Sequence, residues 1–475
     1  MSADAARLLL LNVLVLVLGL GLLPLVRIAP SWSALRSRWP LAYMVGVAIL
    51  GIVDATLELV HVPLGLIEVA VLAAASAVGG SFRLLDQRAR PDVPAPQPDP
   101  AARDGRVDRL SVVGGLIALS LALALAARAT HAYAVRPLRE YDGWAIYGAK
   151  ARALYEFDGV SDGVFANPYY DAPTHPLLLP SLEAIGFRAI GAFDPVLLHV
   201  QLGLLAIGFA GAAWVVLRPA SEPLLAGATI LAVLSAPAVF AQLGTNFADI
   251  PLAFFVSLGI ASVAAWLSTR ADWLLVAGAI FLAAGALTKS EGMLFAAAAL
   301  VVLLALSCTR RRQFVRAGSA AVVVLVAVAP WRLYVSSNDL RHPDYELSHV
   351  FDRLFLADNW YRVEPVTREL LRQLTNTDSW GLLLPIFAVS LAVAVLRLNV
   401  APALFAVAWL VVSFVGLLLV YWITIRPLEP NLFNTSNRTV ATLLLGAGLV
   451  APVLIGRRDA APSTRPCARR RRTAS

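Results

Sequence analysis

The hydrophobic and polar positions of this chain separate into long apolar runs and short polar gaps. A membrane-spanning helix needs about 20 mostly apolar residues, and about thirteen runs approach that length. They cover residues 8–26, 41–60, 62–80, 110–129, 194–217, 222–242, 249–268, 272–288, 291–307, 314–335, 380–396, 400–424 and 439–455. The pattern predicts an all-α polytopic membrane protein with about thirteen transmembrane helices.

Composition excludes a water-soluble globule. The 475 residues are 59% hydrophobic and only 15% charged, whereas soluble domains carry roughly a quarter of charged residues. The formal charge of +8 could suggest a nucleic-acid partner. However, the basic residues cluster in gaps between apolar runs, which is typical of cytoplasmic loops. We therefore expect a lipid bilayer as partner and no nucleic acid.

The arginine-rich gaps predict the orientation of the chain. If all of them are cytoplasmic, the N-terminus lies outside and the C-terminus inside the plasma membrane. The arginines concerned are Arg36, Arg38, Arg83, Arg88, Arg90, Arg103, Arg106, Arg109, Arg310, Arg311, Arg312 and the tail residues 469–472. Cys308 and Cys467 then both face the cytoplasm, so a structural disulfide is not expected.

Residues 175–191 are apolar enough to resemble a further span, but a crossing there would conflict with the predicted orientation. Counting them as a crossing would place Arg310–Arg312 and the basic tail outside. The segment also carries Glu183 and Arg188, which are costly in hydrocarbon. An amphipathic helix at the outer interface satisfies both constraints, so the segment is predicted to lie there.

The chain divides into four predicted parts. Residues 1–85 form a leading three-helix membrane module, and the charged, proline-rich stretch 86–109 is a flexible cytoplasmic linker. Residues 110–455 form the membrane core, with long outer loops at 130–193 and 336–379. The basic residues 456–475 form a cytoplasmic tail, suited to anionic lipid heads.

The first outer loop carries one group of candidate residues. Asp142, Trp144, Tyr147 and Lys150 recur at roughly helical spacing, which puts an acid, two aromatic rings and an amine near one face. A carboxylate at the mouth of an apolar bundle can act as a general base. The structural alternative, at even odds, is that Asp142 caps a helix.

Three further polar groups flank predicted spans. Asp249 stands at the start of one span, where an acid also suits the helix dipole. Lys289 and Glu291 form a tight turn and are either an interfacial ion pair or a cation site for phosphate. Ser436 and Arg438 precede the last span, where Arg438 either anchors the helix or binds phosphate bidentately. The predicted topology places all of these groups on the outer face.

These motifs resemble the GT-C superfamily of polyprenyl-phosphate-sugar-dependent glycosyltransferases, which includes protein O-mannosyltransferases and aminoarabinose transferases. The resemblance covers roughly residues 110–455. In that family an acid in the first outer loop of the core precedes a tyrosine and a His/Lys-Pro-Pro-Leu-like turn, a second acid precedes a Pro-Leu run, and later turns carry basic residues. The matching residues here are Asp142, Tyr147, His175 with Pro176 and Leu177, Asp249, Lys289, Glu291, Gly292, Ser436 and Arg438.

The chain departs from the family pattern in four places. Gly143 replaces the glutamate that follows the catalytic acid in many members, and Pro176-Leu177 replaces Pro-Pro. The large soluble C-terminal domain of some members is absent, and three extra helices precede the core.

The resemblance implies an inverting sugar transfer from a polyprenyl-phosphate donor to an acceptor hydroxyl on an envelope glycan, lipid or protein. Asp142 would deprotonate the acceptor, while Lys289 and Arg438 would neutralise the phosphate. Asp249 would hold the acceptor, position Asp142 or bind a divalent cation, with no cofactor expected with certainty. Substrate contacts are expected from Trp144, Tyr147, Lys150, His175, Lys289, Glu291, Ser436 and Arg438.

Two other function classes remain open on the sequence alone. A transporter or flippase would keep charges in mid-span facing a cavity. Asp54, Glu58 and Glu68, in the leading module, fit that pattern. The other alternative is a non-catalytic scaffold whose outer loops bind a partner.

Overall fold

A computed structural model describes residues 3–89, 140–167, 172–342 and 345–456, together with 112–117, 119–120, 123–124 and 127. The described chain is helical almost throughout, with one isolated β-bridge between Tyr345 and Thr424. Its first helices are α1 (Ala3–Leu25), α2 (Trp32–Arg38), α3 (Ala42–Leu57), α4 (Leu66–Ala89), α5 (Gly148–Phe157), α6 (Asp162–Phe165), α7 (Leu178–Ile190), α8 (Pro195–Leu217), α9 (Pro223–Ser235), α10 (Pro237–Gln242) and α11 (Asp249–Thr269).

The remaining helices follow the same order along the chain. They are α12 (Asp272–Ala286), α13 (Ser290–Ser307), α14 (Arg311–Ser337), α15 (Arg353–Asp358), α16 (Val363–Leu374), α17 (Thr377–Trp380), α18 (Leu383–Leu396), α19 (Val400–Trp422), α20 (Leu428–Thr439) and α21 (Ala441–Ile455). Short 3₁₀ turns occur at Trp39–Leu41, Glu58–Val60, Leu347–Phe351 and Trp360–Arg362, and a π-helical turn at Asp142–Tyr147.

Nine helices of the described chain are long and apolar enough to span a membrane. Three shorter apolar helices, α9, α12 and α18, accompany them. Together these helices coincide with the predicted runs other than 110–129, whose described residues are also helical. The all-α, membrane-embedded class is therefore confirmed. The predicted run 222–242 is interrupted, because Pro237 forces Ala236 into an extended conformation and starts a new helix.

The core is built around α11, whose apolar span is buried along its whole length. It packs against α8, α12 and α21. Glycines allow the closest approaches elsewhere: a Cβ on Gly19 of α1 would lie 1.8 Å from the carbonyl oxygen of Ala42 in α3. Small residues that let backbones approach are the usual basis of helix association in membranes.

The leading helices pack on the rest of the protein as well as on one another. In α1, the Arg7 Nη1 donates to the carbonyl oxygen of Ile190 at 3.0 Å. After α3, the Glu58 carboxylate pairs with Arg188 of α7 at 2.6 Å. Both side chains of that pair are largely excluded from solvent. The three leading helices are thus joined to the core by a buried ion pair.

Helix α7 covers the segment that was predicted to be an amphipathic helix at the outer interface. Its 13 residues are too few to span a bilayer, as predicted. Its polar residues, however, lie inside the protein: Glu183 is 2% exposed, and Arg188 is held by Glu58. The reason is that α1, α3 and α5 cover the faces of α7.

Two of the predicted segments, the linker and the tail, lie partly within the described residues. Helix α4 continues through residues 86–89, the first four of the predicted linker, while 90–109 lie outside the described residues. The predicted tail lies outside them from residue 457 onward. Within the described parts of the outer loops, 140–167 and 172–193 carry α5–α7, and 336–342 and 345–379 carry α15–α17.

Candidate functional site

Asp142 begins the π-helical turn that leads into α5. Gly143 is pressed against the loop before α11, and a Cβ at this position would lie 2.5 Å from the carbonyl oxygen of Thr245. Asn246 in that loop donates its Nδ2 to the carbonyl oxygen of Gly143 at 3.4 Å. Glycine at 143 therefore lets the Asp142 turn contact the segment that leads into Asp249.

Asp249 is the first residue of the central helix α11. The residue as a whole is 3% exposed, and Pro251 occupies the first turn, where a missing N–H costs no helical hydrogen bond. The preceding loop is held by Thr245, whose hydroxyl donates to the carbonyl oxygen of Gln242 at 2.7 Å and accepts from the amide of Phe247. This places the carboxylate of Asp249 at the end of a wholly buried helix.

Lys289 lies in the turn between α12 and α13. The turn is tight because Gly292 lies against α12: a Cβ there would be 2.0 Å from the carbonyl oxygen of Gly285. The Lys289 ammonium donates to Asp249 Oδ1 at 2.8 Å and lies 3.1 Å from Glu291 Oε1. Burial by itself would lower the pKa of Lys289, but Asp249 and Glu291 raise that pKa well above its ordinary value. Lys289 is therefore a cation at neutral pH.

Arg438, near the end of α20, joins the two aspartates. Its Nη1 lies 2.6 Å from Asp142 Oδ2 and 3.7 Å from Asp249 Oδ2. The guanidinium also stacks over the ring of Phe247, with its central carbon 4.1 Å from the ring centroid. Cation–π contacts of this kind hold a guanidinium in one orientation.

Asp142, Asp249, Lys289, Glu291 and Arg438 thus form one ion-pair cluster, in which acids outnumber bases by one. Its members come from the first outer loop, α11, the turn before α13, α13 and α20. Some buried polar atoms of the cluster have no hydrogen-bond partner among the described residues, namely Asp249 Oδ2, Glu291 Oε2 and Arg438 Nε. Buried polar atoms of this kind are costly unless a partner satisfies them.

The acids of the cluster differ in accessibility. The Asp142 side chain is 20% exposed, while that of Asp249 is 4% exposed. Asp142 is therefore the more accessible of the two aspartates, and Asp249 lies between the two cations.

Tyr147 lies beneath this cluster. It is fully buried, and its hydroxyl lies within the electrostatic influence of Lys289, Asp249, Glu291 and Asp142. Burial raises the pKa of Tyr147 well above its ordinary value, so the hydroxyl is neutral.

His175 lies beside Tyr147, with ring centroids 6.1 Å apart. A second histidine, His342, lies 5.4 Å from His175 and stacks on Tyr345. Burial lowers the pKa of His175 well below its ordinary value and that of His342 to about 3, so both rings are neutral. The cationic Arg426 contributes to both shifts.

Lys150 does not join the cluster. Its ammonium is fully buried and donates to the carbonyl oxygens of Ala172, Pro173 and His175 at 2.9, 3.3 and 2.8 Å. Burial lowers the pKa of Lys150 to about 7. The amine holds the turn that carries His175, and its three contacts leave it no direct path to a substrate in this structure.

Trp144 and Ser436 also lie apart from the ion pairs. Trp144 is 52% exposed and packs edge-on against Tyr141. The Ser436 hydroxyl donates to Glu369 Oε1 at 3.1 Å, in helix α16 of the second outer loop. Arg372 lowers the pKa of Glu369 to about 2, with smaller effects of the same sign from Gln373 and Ser436 and an opposing effect of burial. Ser436 thus links the second outer loop to the helix that carries Arg438.

Asp249 was the candidate ligand for a divalent cation. Among the described residues, no group of three or more His, Cys, Asp or Glu side chains is arranged to hold a metal ion. Asp249 Oδ1 is occupied by Lys289, which a cation would have to displace.

Several residues of this region were not predicted from the sequence to belong to the site. They are Glu183, Asn246, His342, Glu369 and Arg426, which reach the site only through tertiary packing. Comparison of the chain with protein-family models, curated proteins and solved structures found no match.

Proposed function

We propose that the protein is an inverting glycosyltransferase that moves a sugar from a polyprenyl-phosphate donor to an acceptor hydroxyl on the extracytoplasmic face. The observation that carries the proposal is the bridge made by Arg438 between an accessible carboxylate and a buried one, beside a second buried cation. This arrangement combines a base and a phosphate-binding pair within one small volume.

The proposed reaction uses the two kinds of group in one step. The acceptor oxygen attacks the anomeric carbon, the bond from that carbon to the phosphate oxygen breaks, and its electron pair goes to the phosphate. The acceptor proton passes to Asp142. Lys289 and Arg438 stabilise the charge that grows on the phosphate oxygens, a contribution that commonly dominates such catalysis.

Donor binding also prepares Asp142 for this role. In this structure Arg438 is engaged by Asp142 at 2.6 Å, so the guanidinium occupies that carboxylate. When a donor phosphate binds the Arg438 guanidinium in place of Asp142, the Asp142 carboxylate becomes free to accept a hydrogen bond from the hydroxyl of the acceptor substrate. Asp249, held between Lys289 and Arg438, keeps both cations in place meanwhile.

The sidedness of the proposal rests on the arginine-rich gaps, which put the ion-pair cluster opposite the cytoplasm.

The transporter alternative was motivated by three acids of the leading helices. Asp54 accepts from the amide of Leu64 at 3.2 Å, Glu58 pairs with Arg188, and Glu68 accepts from the amide of Gly65 at 2.8 Å. Each of the three acids thus has a local partner, while Asp54 Oδ2 and Glu58 Oε2 are buried without a hydrogen-bond partner among the described residues.

The decisive experiment compares Asp142→Asn with wild-type protein in native membranes supplied with a polyprenyl-phosphate-sugar extract, with mass analysis of the glycosylated products. We expect transfer to fall at least about 100-fold, because general-base catalysis contributes roughly 10²–10⁴-fold. The matched control is Asp272→Asn, which removes a half-exposed aspartate paired with Arg316. Asp272 begins α12, at the end of that helix opposite to Lys289. Transfer that is unchanged in Asp142→Asn removes the base assignment. A transport defect in a protein without transferase activity favours the alternative.

A further inference from the structure

The 347–362 segment opens the helical part of the second outer loop. It consists of a 3₁₀ turn at Leu347–Phe351, helix α15 and a second 3₁₀ turn at Trp360–Arg362. Four of its large apolar side chains are exposed, namely Phe351 to 88%, Leu354 to 77%, Trp360 to 62% and Tyr361 to 64%. An exposed apolar patch of this kind marks a surface that contacts a partner.

The local fold of the segment decides which of its side chains face outward. The Asp352 carboxylate accepts from the amides of Leu354 and Phe355 at 3.0 and 3.1 Å and so caps α15. The Phe355 ring stacks on His349, with ring centroids 3.8 Å apart. Phe355 is thus used within the segment, whereas Phe351 and Leu354 stay exposed on its surface.

The segment is attached to the end of the spanning helix α19. The Trp422 indole Nε1, in the last turn of α19, donates to the carbonyl oxygen of Leu356 at 3.1 Å. The Trp360 ring packs edge-on against the Trp422 ring, with centroids 5.1 Å apart. Arg362 donates to the carbonyl oxygen of Thr424, just beyond α19. The 347–362 segment therefore lies at the level of the last turn of this helix.

Trp422 continues a lipid-facing stripe of α19. Leu404, Val411 and Val415 are each about half exposed, and their spacings of seven and four residues put them on one face of the helix. Trp422 follows Val415 by seven residues and so lies on the same face. The 23 residues of α19 span about 34 Å, slightly more than the roughly 30 Å of bilayer hydrocarbon. Trp422 therefore lies at the head-group level, where tryptophan and tyrosine are enriched.

We propose that the 347–362 segment lies in the head-group region of the lipid leaflet at the Trp422 end of α19, with its exposed apolar side chains in contact with the hydrocarbon. The partner is the bilayer itself, because the patch continues a stripe of α19 that lipid already covers. The exposed charges of Arg353 and Asp358 are costly in hydrocarbon, so the segment lies along the interface and does not enter the membrane core.

Contact with the leaflet also fixes the helix that follows. Helix α16 begins at Val363, directly after the segment, and its Glu369 Oε1 accepts from the Ser436 hydroxyl at 3.1 Å. Ser436 lies on α20, two residues before Arg438. The bilayer surface thus sets the height of α16 against the helix that carries Arg438. The lipid contact is independent of the proposed transferase function, since it follows from exposure and from the contacts with α19.

The test places nitroxide spin labels on the full chain in phosphatidylcholine nanodiscs. Cys308 and Cys467 are first replaced by serine, and single labels are then attached to Phe351→Cys and Leu354→Cys. The matched control is Arg368→Cys, because Arg368 belongs to α16 of the same loop and its side chain is 76% exposed. Power saturation compares collisions with oxygen and with a water-soluble nickel chelate. The ratio of oxygen to nickel collisions should be at least about fivefold higher at 351 and 354 than at 368, because a polar chelate is largely excluded from an apolar phase that oxygen enters.

Each outcome decides the proposal. Equal ratios at the three positions mean that the segment stands in water, and they overturn it. Labels at 351 and 354 that are shielded from both oxygen and nickel mean that another protein surface covers the patch, which also overturns it. A second measurement uses the unmodified chain, with a phosphatidylcholine that carries a diazirine near the head-group end of its acyl chain. After irradiation, lipid adducts should be found on residues 351–361 and not on the exposed Glu364 and Arg368 of α16. Absence of adducts on 351–361 refutes the lipid contact even if a cysteine variant does not fold.

Discussion

Removing one partner of the buried pair between Lys289 and Asp249 probes the ion-pair cluster most directly. The two side chains are 9% and 4% exposed and meet at 2.8 Å. Loss of one partner leaves a buried charge uncompensated, which typically costs about 3–5 kcal/mol. Arg438 lies 3.7 Å from Asp249, and Glu291 lies 3.1 Å from Lys289. Because these neighbours compensate in part, we expect each of Lys289→Met and Asp249→Asn to cost about 3 kcal/mol.

The double variant shows whether the two side chains interact. Without either charge, no uncompensated member of the pair remains, so the double variant should lose about 2–3 kcal/mol less than the two single losses together. The measurement is the free energy of unfolding of all four proteins in mixed detergent micelles.

A second pair provides the control for this cycle. Arg316 and Asp272 meet at 2.7 Å, close to the distance in the buried pair, but their side chains are 32% and 55% exposed. Solvent screening limits such a pair to about 0–1 kcal/mol of coupling. If the losses at Lys289 and Asp249 simply add, or if both pairs show the same coupling, the argument from burial is wrong.

Three further predictions follow from the geometry. Gly143→Ala should lower both stability and transfer, because its Cβ would meet the Thr245 carbonyl oxygen at 2.5 Å; wild-type melting behaviour would contradict this. Lys150→Met should remove a rise in stability between about pH 7 and 10.5, since the lowered pKa favours the neutral amine in the folded protein; the check is the pH dependence of the melting midpoint. Trp144→Cys should react with an impermeant maleimide in intact cells and the exposed Cys308 only after permeabilisation; reaction of both in intact cells would refute the sidedness.

The helices were predictable because the apolar runs match the length that a bilayer demands. Where the prediction differed, the cause was local or tertiary. Pro237 divides one run into two helices, a break that proline chemistry indicates. The burial of Glu183 and Arg188 depends instead on α1, α3 and α5 covering α7, which no local pattern reveals.

In the candidate site, too, some features were predictable from the sequence and others depend on tertiary packing. The five members of the ion-pair cluster were all singled out from the sequence, and the structure brings them into contact, although their chemical roles remain predictions. Lys150 was expected on the face of Asp142 from α-helical spacing. The turn at Asp142–Tyr147 is π-helical, which changes the angular offset, and the amine points instead to the carbonyl oxygens of the 172–175 turn.

The contact that Ser436 makes could not be predicted from the sequence. Its partner Glu369 belongs to α16, a helix of the second outer loop, separated from it by two apolar helices. No spacing rule connects these residues. Arg362 of the second outer loop donates to the carbonyl oxygen of Thr424, two residues before Arg426. The second outer loop therefore contacts both the segment that carries Arg426 and helix α20, which carries Arg438.

The charge balance of the cluster explains why the proposed step suits this site. With Asp142 ionised, the acids outnumber the bases by one, and a bound phosphodiester donor adds a further negative charge. In the proposed step the phosphate gains one negative charge as the sugar leaves, while Asp142 loses one as it takes the acceptor proton. The total charge that Lys289 and Arg438 must neutralise therefore stays constant, although its centre moves toward the phosphate. Buried charges are costly to change in number but less costly to shift between fixed partners. Two cations held by three carboxylates therefore favour a transfer in which proton and phosphate charge move together.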